Sequence, residues 1–127
     1  MLCCGRTFLS AGLVDEARAE AERTLNALEP WLDRGVRVVG LEPSCLFTFR
    51  DEFGAILPGA KTERLAEAAL LFEELLGQEQ NAQQLQSRLQ PVPWKKALLH
   101  GHCHQKAFGV MGSVQAALGL GVKTWKR

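Results

Sequence analysis

Val36-Arg37-Val38-Val39-Gly40-Leu41-Glu42-Pro43-Ser44-Cys45 is the stretch on which the fold turns. Val36 to Leu41 is a short apolar run rich in β-branched residues, interrupted only by Arg37 and Gly40, which predicts a strand buried on both faces. Pro43 stops that strand. From Ser44 to Leu57 the pattern predicts a helix, with Ser44 as N-cap, Cys45 in the first turn and Pro58-Gly59 as terminator. Upstream, Val14, Ala17, Ala21, Leu25, Leu28 and Leu32 recur at three- and four-residue steps and predict a helix over 13–34, ended by Gly35. Downstream, Leu65, Ala68, Ala69, Phe72, Leu75 and Leu76 predict a helix from Thr62 to Leu76 with Thr62 as its cap.

After Gly77 the chain turns polar, with six glutamines between Gln78 and Gln90, and reads as a loop or a weak exposed helix. Pro91 and Pro93 close this connector. Ala97 to His100 reads as a strand, Ala107 to Leu118 as a helix with Val110, Met111, Val114 and Leu118 inward, and Val122 to Trp125 as a third strand. The fold class expected is therefore α/β, a mainly parallel sheet flanked by helices. Cys45 and Cys103 each follow a predicted strand and precede a helix, so both are expected at the carboxyl edge of the same sheet, where open α/β sheets bind ligands. A helix N-terminus also favours a thiolate, which makes Cys45 a good candidate ligand.

The four cysteines are Cys3, Cys4, Cys45 and Cys103. Adjacent side chains such as Cys3 and Cys4 rarely share a disulfide, because the closed ring strains both peptide and sulfur geometry. Two neighbouring thiolates do bind a soft metal or the irons of a cluster. In His100-Gly101-His102-Cys103-His104, an extended backbone puts the three histidines on one face with Cys103 opposite, whereas a helical start swings His104 away. Cysteine with histidine suits zinc, so His102 and His104 join the cysteines as candidate metal ligands, although the paired Cys-x-x-Cys spacing of structural zinc sites is missing. The plainer readings are a buried structural cysteine at 45 and histidines hydrogen-bonded at a strand end.

Composition narrows the field. The chain has 127 residues, 46% of them hydrophobic, enough for a core, and a net charge of +1 leaves no nucleic-acid footprint. No apolar run approaches the roughly 18 residues of a membrane span, and no signal-like segment opens the chain. A cytoplasmic setting with reduced thiols or metal ligands follows from that. Asp15-Glu16, Asp51-Glu52 and Glu73-Glu74 are most simply solvated helix faces, and no phosphate loop or catalytic triad is legible.

Taken together, Cys3-Cys4-Gly5-Arg6-Thr7-Phe8-Leu9, Val38-Val39-Gly40-Leu41-Glu42-Pro43-Ser44-Cys45, Phe49-Arg50-Asp51-Glu52 and His100-Gly101-His102-Cys103-His104-Gln105-Lys106-Ala107 resemble the cysteine-rich CCG region of FAD-linked oxidases. The likeness is to large fused enzymes of the D-lactate and D-2-hydroxyglutarate dehydrogenase type. It extends more distantly to the iron–sulfur subunits of glycolate oxidase and anaerobic glycerol-3-phosphate dehydrogenase, and to the cysteine-rich component of heterodisulfide reductase. The resemblance implies two related cysteine-rich modules and an iron–sulfur cluster used in electron transfer. It implies Cys3 and Cys4 as the cysteine pair of the first module, Cys45 as its later cysteine, and Cys103 as the isolated cysteine that opens the second. Residues 1–77 would then be the end of the first module, 78–95 a connector and 96–127 the start of the second.

Two departures accompany the resemblance. Glu42 stands where the first cysteine of a Cys-x-x-Cys pair is expected, and no cysteine precedes Cys3 nor does a second Cys-Cys-Gly follow. The expectation is thus an incomplete piece, not catalytic alone. FAD, the FAD-binding oxidase domain and a ferredoxin-like domain would belong to the parent protein, which passes electrons to an unidentified acceptor. Its location would be cytoplasmic or, through the parent complex, peripheral to the inner membrane. The alternatives are a zinc- or iron-binding module without redox activity, with the four cysteines around one ion, and a structural docking module with buried cysteines. A shared site predicts Cys45 within roughly 8 Å of the Cys3-Cys4 pair, given the size of a metal or cluster centre.

Overall fold

A computed structural model describes residues 2–90, 92–93, 96–121 and 125–126. The chain divides into two compact units, Met1–Leu71 and Phe72–Arg127. The first runs α1 (Arg6–Ser10), α2 (Val14–Leu32), β1 (Val38–Gly40), α3 (Pro43–Arg50), α4 (Glu52–Ile56), α5 (Ala60–Ala68) and β2 (Ala69–Leu71). β1 and β2 pair in parallel, with Val38 opposite Ala69 and Gly40 opposite Leu71.

The core of this unit follows the periodicity of α2. Ala21 and Leu25 are buried against Phe53 of α4 and Leu65 of α5, and Leu28, Leu32, Val38 and Phe49 pack around them. Small residues at 17 and 21 on α2 are fully buried, which lets neighbouring elements approach its backbone closely. The helix expected over 13–34 is present as α2, but Val14 at its first turn stays exposed.

Four expectations for this unit need correction. The strand at β1 is not buried on both faces: Val39 is 38% exposed and Leu41, just beyond the strand, 81%. Among the described residues the sheet holds two strands, with α3 against one face of β1 while Val39 on the other stays open to solvent. The helix expected over Ser44–Leu57 breaks at Asp51 (φ −123°, ψ −73°) into α3 and α4. Phe47 and Phe53 are both fully buried. Six residues apart, they would face about 120° away from each other on one unbroken helix, and the break lets both turn inward. The helix expected from Thr62 to Leu76 is interrupted by β2, whose Ala69 and Leu71 are buried. A short apolar run fits helix and strand equally by periodicity, and pairing with β1 decides it. Thr62 is not the cap either, since Gly59 occupies that position and the Thr62 hydroxyl donates to the Leu57 carbonyl at 2.7 Å.

The second unit contains α6 (Phe72–Gly77), α7 (Glu79–Gln86), β3 (Ala97–Leu98), α8 (Cys103–Ala107), α9 (Met111–Gly119) and β4 (Trp125–Lys126). The glutamine-rich stretch forms α7, and Asn81 ties it to α6 by donating to the Leu75 carbonyl at 2.8 Å. β3 and β4 pair in parallel, Ala97 with Trp125. Of the third strand expected over Val122–Trp125, the first three residues lie outside the described residues. Of the helix expected over Ala107–Leu118, Ala107 ends α8, residues 108–110 form a turn and α9 carries the rest, with Val110, Met111, Val114 and Leu118 half-buried.

The architecture is α/β with helices predominating. Among the described residues the strands form two separate two-stranded parallel pairs, β1–β2 and β3–β4, not a mainly parallel sheet. Strands of two or three residues span too little length to bind further neighbours into a continuous sheet. The placement of Cys45 and Cys103 on one sheet edge is corrected accordingly: Cys45 follows β1 and Cys103 follows β3, which belong to different pairs in different units.

Candidate functional site

The first unit gathers its chemistry where the chain start meets the N-terminus of α3. Cys4 Sγ lies 3.2 Å from Cys45 Sγ and donates a hydrogen bond to it across 41 residues of sequence. The proximity expected between Cys45 and the Cys3-Cys4 pair is therefore present at Cys4. Cys3 and Cys45 are exposed and Cys4 is half-buried.

Each sulfur is positioned by its neighbours. Gly5 is buried with φ +74°, a left-handed conformation that side-chain-bearing residues rarely adopt. A Cβ there would also stand 3.1 Å from the Ala17 carbonyl oxygen of α2, so glycine lets the Cys-Cys segment lie against the helix. Just before it, the buried Thr24 hydroxyl of α2 donates to the Cys3 carbonyl at 2.9 Å. Cys4 is thus held between two anchored residues. Sequence reasoning missed Thr24, whose polarity inside an apolar stripe was the available signal.

On the other side, Glu42 caps α3. Its Oε2 accepts from the Cys45 amide at 2.6 Å and from the Ser44 hydroxyl at 2.5 Å, with Pro43 at the first helical position. The cap expected at Ser44 is displaced upstream to Glu42, because the longer glutamate side chain reaches back to the third helical amide while serine serves as its donor. Partial burial works against the Glu42 charge, yet the hydrogen bonds from Ser44 and Cys45 prevail and hold its carboxyl down at about 2.

That carboxylate changes what Cys45 can do. Loss of hydration around its sulfur, then the adjoining Cys4 thiol and the Glu42 carboxylate, push the Cys45 thiol up to about 12. The helix-derived thiolate expected here is not favoured: lost hydration first, then Cys4 and Glu42, push the thiol the other way. A cation placed between the sulfurs reverses the balance, since a coordinating metal deprotonates its thiol ligands outright.

Arg50, at the end of α3, donates from Nε and Nη2 to the Ala69 carbonyl at 2.9 and 2.6 Å. It ties the helix that carries Cys45 to β2, a structural role for the Phe49-Arg50-Asp51-Glu52 segment. A groove of about 370 Å³ beside Leu25, Leu57 and Lys61 has no cysteine in its lining.

In the second unit, Cys103 is the exposed first residue of α8 and His102 is its cap. His102 Nδ1 accepts from the His104 amide at 3.2 Å, and the His102 amide donates to Gln105 Oε1 at 3.1 Å, a reciprocal capping box. Gln105 is buried and its Nε2 donates to Glu73 at 3.4 Å. The His102 and His104 rings stack with centroids 5.2 Å apart, so the helical start keeps them together. Among the described residues, no group of three or more Cys, His, Asp or Glu side chains is arranged to hold a metal ion. No helix among them is long and apolar enough to cross a membrane.

No protein-family model, no curated protein and no solved structure matches this chain.

Proposed function

We propose that this chain is the iron–sulfur-type electron-transfer region of an FAD-linked D-2-hydroxy-acid dehydrogenase, acting within a longer cytoplasmic protein and inactive by itself. The single observation that carries the reading is the convergence of Cys4 and Cys45 to 3.2 Å from distant points in the sequence of the first unit. Their chemistry fits a soft metal or an iron site, and their number does not complete one. Two thiols, with Cys3 adjacent in sequence, supply part of a ligand set that needs four donors in a cubane cluster or a structural zinc site. The remaining donors would come from the parent protein.

In this reading the flavin, housed in the FAD-binding domain, performs the hydride chemistry. The cysteine-rich region passes the electrons on, with a ferredoxin-like domain, toward the acceptor. A second reading is favoured by the carboxylate of Glu42 beside the two sulfurs: zinc accepts thiolate and carboxylate ligands together, which would make the region a metal-binding or docking module without redox activity.

Metal and acid-labile sulfide analysis of the chain purified without oxygen, with its visible spectrum, separates these. Iron with matching sulfide and broad visible absorption is expected. Zinc without sulfide transfers the conclusion to the second reading, and neither metal with four titratable thiols removes both.

A further inference from the structure

We propose that Cys4 and Cys45 form a reversible intramolecular disulfide, making this junction a thiol–disulfide switch that is independent of any metal. Three observations carry it. The two sulfurs are already in contact at 3.2 Å. Both are held from outside the pair: Thr24 fixes the Cys3 carbonyl, Gly5 seats the segment on α2, and the Glu42 cap fixes the Cys45 backbone. Cys45 is exposed and Cys4 only half-buried, so a small oxidant reaches them. Closing the bond requires the sulfurs to approach by about 1.2 Å, to the roughly 2.05 Å of a disulfide, which side-chain rotation supplies.

The oxidant class is a low-molecular-weight disulfide, R–S–S–R. One thiol of the pair attacks it, forming a mixed disulfide and releasing one R–SH. The second thiol then attacks the protein sulfur of that mixed disulfide and releases another R–SH. Two protein S–H bonds and one R–S–S–R bond are broken; one protein S–S bond and two R–SH molecules are formed. Two electrons pass to the oxidant, and both protons leave with the released thiols. Prealigned sulfurs make the second step effectively unimolecular, so the internal bond prevails over mixed adducts.

Cys3 does not substitute for Cys45, since a bond between adjacent cysteines is strained. Oxidation therefore removes both sulfurs of the pair from metal ligation in one step.

The test uses the metal-free full chain in mixtures of reduced and oxidised glutathione, quenched with an alkylating reagent and mapped by peptide mass spectrometry. Cys4 and Cys45 are expected to lose alkylation together and to appear as one linked peptide pair, while Cys103 stays alkylated. Cys3→Ser should leave that link unchanged, and Cys4→Ser should leave Cys45 carrying a glutathione adduct. Predominant single adducts in the unmutated chain, a Cys3-Cys4 link, or random pairing that includes Cys103 each overturn the proposal. Because no metal is present, failure here leaves the electron-transfer reading standing, and absence of iron there leaves this one standing.

Discussion

The two units of this chain spend similar lengths of sequence very differently. In Met1–Leu71 every buried apolar side chain among the described residues is found, from Ala17 to Leu71, with Phe47 and Phe53 the largest. In Phe72–Arg127 the buried described residues are Gly101 and the polar Gln105, while Phe72, Leu89, Leu98 and Phe108 are exposed. The thiol junction thus stands in the unit that holds the buried apolar core. The Cys103 motif is organised by local hydrogen bonds instead, through a capping box and a buried glutamine.

Hollowing out each unit in turn tests this contrast most directly. Phe53→Ala should lower stability by about 3–5 kcal/mol, read by denaturant unfolding. Phe108→Ala, at a 43% exposed position of the second unit, should change it by less than about 1 kcal/mol. Equal effects would overturn the contrast. Gly5→Ala comes next: a left-handed φ and contact with the Ala17 carbonyl predict a loss of about 2 kcal/mol, together with slower Cys4–Cys45 crosslinking. A tolerated substitution would show that the chain start is not seated on α2.

Thr24→Val keeps the shape and removes the donor to the Cys3 carbonyl, which should cost about 1 kcal/mol. Thermal melting measures that loss. The smallest effect is expected at Glu42. Its carboxyl is held at about 2 in the fold against an ordinary value of 4.5, so its contribution is fully present above about pH 4.5 and fades as the pH falls toward 2. Glu42→Gln should flatten that part of the stability–pH curve by lowering the neutral plateau slightly toward the acid value, leaving stability near pH 2 unchanged. An unaltered acid limb would show that other carboxylates set it.

How much of this was legible beforehand varies by residue. α2 was readable because its apolar stripe repeats at helical spacing and coincides with burial at Ala17, Ala21 and Leu25. The break at Asp51 and the strand at Ala69–Leu71 were not, because both are imposed by packing: one by the need to turn two phenylalanines inward, the other by a partner strand 31 positions away. At the site, the meeting of Cys4 and Cys45 was anticipated from a sheet edge that the fold lacks, and it comes instead from seating Cys3-Cys4-Gly5 on α2 beside the N-terminus of α3. The upward push on the Cys45 thiol was not anticipated, since it comes from lost hydration and from Cys4 and Glu42, neighbours brought close only by the folded geometry. The single sheet edge failed because strands of two or three residues pair locally and stop.

The parallel pairing of Val38 with Ala69 also has a kinetic meaning. Two strands joined this way cannot zip from a tight turn; the intervening α3, α4 and α5 must first shorten the connection. The pair is therefore expected to form late and to set the folding rate of the first unit. Arg50, gripping the Ala69 carbonyl from the end of α3, would act as the latch of that last step, so its removal should quicken unfolding far more than it slows refolding.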